Sequence, residues 1–109
     1  MTQKNIPPMD KLASGDFRPY LNQKFLIHYG QGETLDVELI EVADLNDHQQ
    51  EPIPGKRIPF SLIWRSANRT QYLPQHTFTI THEEMGSLAI FIVPLGADSV
   101  GMRYQAIFA

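Results

Sequence analysis

Two histidines, His76 and His82, followed at once by Glu83 and Glu84, come nearest in this chain to a chemical site; the stretch reads "HTFTITHEE". Imidazoles and carboxylates are the groups that ligate metals and move protons. Their spacing works against both uses. In an extended segment His76, Phe78, Ile80 and His82 point to one side, and six steps at about 3.3 Å separate the two rings by roughly 20 Å. A single metal needs its nitrogens about 2.0–2.1 Å away. "HEEMG" lacks the second histidine of a zinc-binding helix, and Gly86 argues against a helix there. Adjacent glutamates diverge when extended, whereas an acid–base pair must converge. The pattern therefore predicts no catalytic residues, no metal and no cofactor, and assigns His82 and Gly86 to a structural turn.

The remaining reactive types are equally plain. Ser61, Ser66, Ser87 and Ser99 lie in no Gly-x-Ser-x-Gly elbow, and Ser61 reads as a small outward residue. Gly30-x-Gly32 follows a strand without opening a helix, so it is a hairpin rather than a phosphate cradle. Asp36 and Glu38 fall on the polar side of an amphipathic strand. "WRSANRTQY" gathers aromatic and guanidinium groups of the kind enriched at binding hot spots. Trp64 shares a face with Phe60 and Leu62 and reads as core. Arg65, Arg69, Tyr72 and His76 are then the candidate interaction surface, with the 46–58 loop beside it.

The elements that must position these residues follow from periodicity. Residues 1–11 are polar around Pro7-Pro8 and read as a loose arm. Asp16 offers an N-cap for a helical turn over about Phe17–Asn22, with Phe17, Tyr20 and Leu21 buried. "KFLIHYG" and "ETLDVELIEVADL" then alternate with period two around the Gly30–Gly32 turn. In the second, the apolar phase slips at Leu39-Ile40, the mark of a bulge. A polar, proline-rich loop covers 46–58. "FSLIWR", "HTFTIT", "SLAIFIVPLG" and "MRYQAIFA" complete six strands. "SLAIFIVPLG" is apolar on both faces and reads as a central two-sided strand, with Pro94 placed at an edge or bulge. No internal repeat is evident. The fold class is all-β: a small antiparallel barrel or sandwich of about six strands over 12–109, with one N-terminal helical turn.

Composition sets the outer bounds. The chain has 109 residues, a net charge of −3 and no cysteine, so disulfides and thiolate chemistry are excluded. An acidic chain with scattered arginines predicts no nucleic-acid partner. No apolar run approaches a membrane span of about 20 residues, and the first residues lack a secretory pattern. The expected location is cytoplasmic, or within an assembled particle.

The order of pieces "DFRPYLNQKF", "IPFSLIWR", "YLPQHTFTITHEEMGSLAIFIVPLG" and "YQAIF" resembles a family of small bacterial all-β domains of unknown function. The matching positions are Pro59, Phe60, Leu62, Leu73, Pro74, His82, Gly86, Phe91, Pro94, Tyr104 and Phe108. The family supplies no catalytic residues, and its members are often encoded near proteins like phage tail collars. The resemblance implies a non-catalytic structural or interaction module, associated with a phage-like or tail-related assembly, with a protein partner or a second copy as ligand. Such a module would present a strand surface or an unpaired edge. The alternative is a small-molecule or carbohydrate-binding barrel, with Trp64, Tyr72, His76 and Tyr104 lining one mouth.

Overall fold

Strands dominate the computed structural model, which describes residues 8–45, 57–68, 70 and 72–109. Six of them, β1 (Lys24–Gly30), β2 (Glu33–Asp44), β3 (Phe60–Ser66), β4 (His76–His82), β5 (Gly86–Ala97) and β6 (Met102–Phe108), close into an antiparallel barrel in the order β1-β2-β3-β6-β5-β4. Between barrel and sandwich, the chain takes the barrel. Closure pairs β4 with β1 through Leu26–Thr81, Ile27–Ile80 and His28–Thr79. A closed sheet has no free edge, so docking through an unpaired edge is removed as a mechanism.

Register shifts mark three ladders among the described residues, the first in β1–β2 between His28 and Gly30, beside the hairpin turn. The β2–β3 register shifts between Leu39 and Glu41, where the apolar phase slips, and the β5–β6 register shifts between Pro94 and Gly96. Proline cannot donate to a ladder, so Pro94 and the bulge occur together for one reason. Gly86 opens β5 with φ at 78°, a conformation that costs glycine little.

The barrel is built from two similar halves. The first three strands and the last three each run 7, 12 and 7 residues. The shift in numbering that carries Phe25 to Phe78 also carries Ile27 to Ile80, Leu35 to Leu88, Val37 to Ile90 and Leu39 to Ile92. The same shift carries the ladder pair Lys24–Glu38 onto Thr77–Phe91. The strand order sets these two meanders against each other as in a pseudo-two-fold pair. Sequence similarity between them is too thin to read as a repeat, because burial fixes only the inward positions.

Side chains fill the interior. Phe25, Ile27, Leu39, Phe60, Leu62, Trp64, Ile80, Ile92 and Tyr104 are all buried, and Trp64 meets the Phe25 ring edge-on at 5.7 Å. One end is plugged from the N-terminal side. Phe17 lies 5.9 Å from Phe60 and 5.8 Å from Phe108, which stack on each other at 4.6 Å. Burying one such aromatic contributes about 1.5–3 kcal/mol.

The helical turn that carries Phe17 starts earlier than its pattern predicts. It is an α-turn at Ser14–Phe17 followed by a 3-10 turn at Arg18–Tyr20. Asp16 does not cap from outside; its carboxylate reaches back to accept the Ala13 N–H at 2.8 Å. Leu21, past the end of the 3-10 turn, is exposed rather than buried. Of the arm expected over 1–11, residues 1–7 lie outside the described residues. Met9–Lys11 forms a 3-10 turn, held by Arg57, whose Nη1 donates to the Met9 and Leu12 carbonyls at 2.8 and 2.9 Å. Arg57 Nε also donates to the Ala109 carbonyl at 2.9 Å, so a single guanidinium ties both ends of the described chain to the mouth of β3.

β5 is not two-sided. Its burial alternates strictly from Gly86 to Ile92, leaving Phe91 on the outer surface. In a closed barrel only one face of each strand meets the core, and apolar residues on the other face are left to solvent or to a partner.

Candidate functional site

His82 ends β4 with its ring folded under the turn that follows. The Glu84 and Met85 N–H groups donate to Nδ1 at 3.0 and 3.4 Å. Nδ1 is therefore unprotonated and Nε2 carries the hydrogen, which it donates to Gln23 Oε1 at 2.7 Å. The ring packs 4.4 Å from Tyr20 and 4.7 Å from Phe25 and is 7 % exposed. Burial lowers its pKa from the ordinary 6.5, against a smaller upward pull from Glu84 and Glu83. With both nitrogens engaged, neither is free to accept a proton from a substrate, and the geometry is that of a turn brace. Its partner Gln23 lies on the far side of the β1–β4 seam, a contact that no spacing in the chain announces.

Three of the four residues expected to form an interaction surface, Arg65, Tyr72 and His76, lie among the described residues. Arg65 on β3 pairs with Asp98 at 3.1 Å. Asp98 in turn accepts the Val100 and Gly101 N–H groups, both at 2.8 Å. Those backbone bonds, then Arg65, hold its carboxyl at about 2. Arg69 lies outside the described residues, as does the 46–56 part of the loop. Tyr72 is 63 % exposed in the connection before β4. His76, exposed at the start of β4, lays its ring edge-on to Phe78 at 5.2 Å. Of the four residues expected at a binding mouth, Trp64 and Tyr104 are fully buried and Tyr72 and His76 are exposed. The Tyr104 hydroxyl instead accepts the Leu73 N–H at 2.9 Å, and desolvation raises its pKa.

Two surface grooves flank the barrel. One of about 300 Å³ is lined by Asn22, Lys24, Asp36, Glu38, Arg65 and Val100. Another of about 500 Å³ runs along the β1–β4 seam past Gln23, Leu26, Thr81 and His82. The exposed Lys24–Asp36 pair at 3.8 Å lies in the first, and Thr81 of the second is hydrogen-bonded to His28 at 2.9 Å. Among the described residues no three His, Asp or Glu side chains come together as a metal centre requires.

The outer wall of β3, β6 and β5 is of a different character. Ile63, Gln105 and Val93 lie in one row across the three strands. One step further along the same face stand Phe91 and Ile107, 51 % and 62 % exposed. Sequence reasoning missed both. The signal was there in the two-faced apolar pattern of "AIFIV" and "QAIFA", but that pattern also fits burial on both sides. Ser61, which pairs with Ile107, also faces this wall by alternation yet is 3 % exposed, so it is a covered residue rather than a solvent-facing one.

The fold and surface define a small closed β-barrel with a filled interior and an apolar outer wall. The chain belongs to the family described as domain of unknown function DUF6916, whose model matches residues 12–108. Comparison with curated proteins and with solved structures gave no match. Among the described residues no helix is long and apolar enough to cross a membrane.

Proposed function

We propose that this protein is a non-catalytic interaction module that docks a protein partner, a second copy of the chain being the first to test, on the outer wall of β3, β6 and β5. The observation that carries this reading is the exposure of Phe91 and Ile107, each two residues past the Val93–Gln105 pair of adjacent strands. Each leaves most of an apolar side chain in water, at a cost of about 25 cal/mol per Å² that a partner would remove. An apolar centre with polar surroundings is the usual anatomy of a docking face. With the interior packed, the outside of the barrel is what remains to present. A phage-like or tail-related assembly is the setting we infer for it, a setting in which rigid repeated modules meet face to face.

The test is size-exclusion chromatography with light scattering from micromolar to millimolar concentration, on the wild type and on Phe91→Ser/Ile107→Ser. Self-association in the wild type that the double variant loses supports the reading. A wild type that stays monomeric throughout, and captures no protein through this wall, contradicts it.

A further inference from the structure

From the β3–β6 ladder we infer a second site: the Arg65–Arg103 pair binds a small oxyanion, bridging two guanidinium groups with two of its oxygens. Arg65 and Arg103 stand directly opposite each other on the outward face, since their neighbours Trp64 and Tyr104 point inward. Like charges in that position repel, and only one of the two is balanced. Arg65 gives Nη1 to Asp98 at 3.1 Å. Arg103 forms no hydrogen bond or ion pair with any described residue, and its Nε is buried without an acceptor. A buried N–H of a charged group left unpaired is costly.

Toward β5, Arg103 faces a residue without a side chain. Its partner on β5 is Gly96, which has φ at 101° and nothing within 4 Å of where a Cβ would stand. No atom apart from the chain neighbours of Gly96 crowds that position. Asp98 is already engaged: one oxygen takes two backbone N–H groups and the other takes Arg65. Glu38, in register with Arg65 on β2, is the competing acid; it also faces Lys24. The patch thus sets two fixed positive charges beside the committed carboxylate of Asp98 and that of Glu38, which Lys24 also faces, on a chain whose net charge is −3. Paired guanidinium forks match the oxygens of phosphate or carboxylate. The source is either a free phosphate-type anion or a carboxylate carried by a protein.

The experiment titrates inorganic phosphate, and separately acetate, against the full chain at pH 7, with sodium chloride holding ionic strength constant. The Arg103 Nε–H resonance and the thermal midpoint are followed. A saturable shift of that resonance with a rise of roughly 5 °C at tenfold excess over the half-saturation point is expected. Arg103→Gln should weaken binding at least about tenfold, Arg103→Lys should weaken it less, and Arg18→Gln should leave it unchanged. Response to phosphate alone assigns a phosphate-type ligand; an equal response to acetate assigns a carboxylate. A response no greater than that to chloride overturns the site, as does one that survives in both Arg103 variants.

Discussion

Replacing His82 by alanine removes three things at once, and the structure sets the size of each. The Gln23 amide loses its 2.7 Å donor, the Glu84 and Met85 N–H groups lose their acceptor, and the ring leaves a hole between Tyr20 and Phe25. Unpairing these buried and part-buried polar groups costs about 1–3 kcal/mol, and lost ring packing adds about 1 kcal/mol. His82→Ala should therefore lose roughly 2–4 kcal/mol, or about 9–17 °C in thermal midpoint for a domain of this size. Asparagine can still accept a turn N–H two residues on, so His82→Asn should fall between alanine and wild type.

The pH dependence is a sharper test of the same residue. Burial lowers the folded pKa below the ordinary 6.5, so near and below that value the unfolded chain takes up a proton that the folded chain refuses. Stability is thus fully present above pH 6.5 and is lost as pH falls toward the folded pKa, at no more than about 1.4 kcal/mol per pH unit. Urea titrations at pH 7.5 and 5.5, followed by fluorescence of the single tryptophan, Trp64, measure both effects. The gap between wild type and His82→Ala should narrow at pH 5.5. A cost below about 1 kcal/mol at pH 7.5, or a gap that does not change with pH, would refute the assignment of His82 as a neutral brace.

Other substitutions probe the remaining joints of the barrel. Arg57→Ala should destabilise by about 2 kcal/mol in urea titration, since it frees three carbonyls at 2.8–2.9 Å and uncovers the Phe60–Phe108 stack. Gly101→Ala should cost more than about 2 kcal/mol or prevent folding, because a Cβ there would overlap the Ser66 backbone carbonyl; soluble yield and circular dichroism report it. Trp64→Phe should cost less than about 2 kcal/mol, since the lost packing is offset by removing an indole N–H that is buried without an acceptor. A larger loss would mean that this N–H has a partner such as an internal water.

What the sequence made legible follows the period-two code. Phe25, Ile27, Leu35, Val37, Leu39, Phe60, Leu62, Trp64 and Ile80 alternate so clearly that their strands and their inward direction can be read directly. The bulges at Leu39–Glu41 and Pro94–Gly96 also left marks, a phase slip in one case and a proline in the other. Closure left none, because the short β1–β4 seam depends on the twist of the whole sheet rather than on any local signal. The contact of His82 with Gln23 across that seam was hidden for the same reason. Phe91 and Ile107 were visible as apolar residues but not as exposed ones, since a string of letters does not say how many faces of a strand are covered. The likeness of the two halves was masked because matching burial leaves the outward residues free to diverge.

The outer wall can be examined residue by residue through a dilution series of amide nitrogen–proton correlation spectra from millimolar to micromolar concentration. If β3, β6 and β5 form the docking face, the concentration-dependent shifts cluster at Ile63, Phe91, Val93, Gln105 and Ile107 and are absent from Phe91→Ser/Ile107→Ser. Spectra that do not change with concentration or with added partner, or shifts confined to the β1–β2 wall, would contradict that claim.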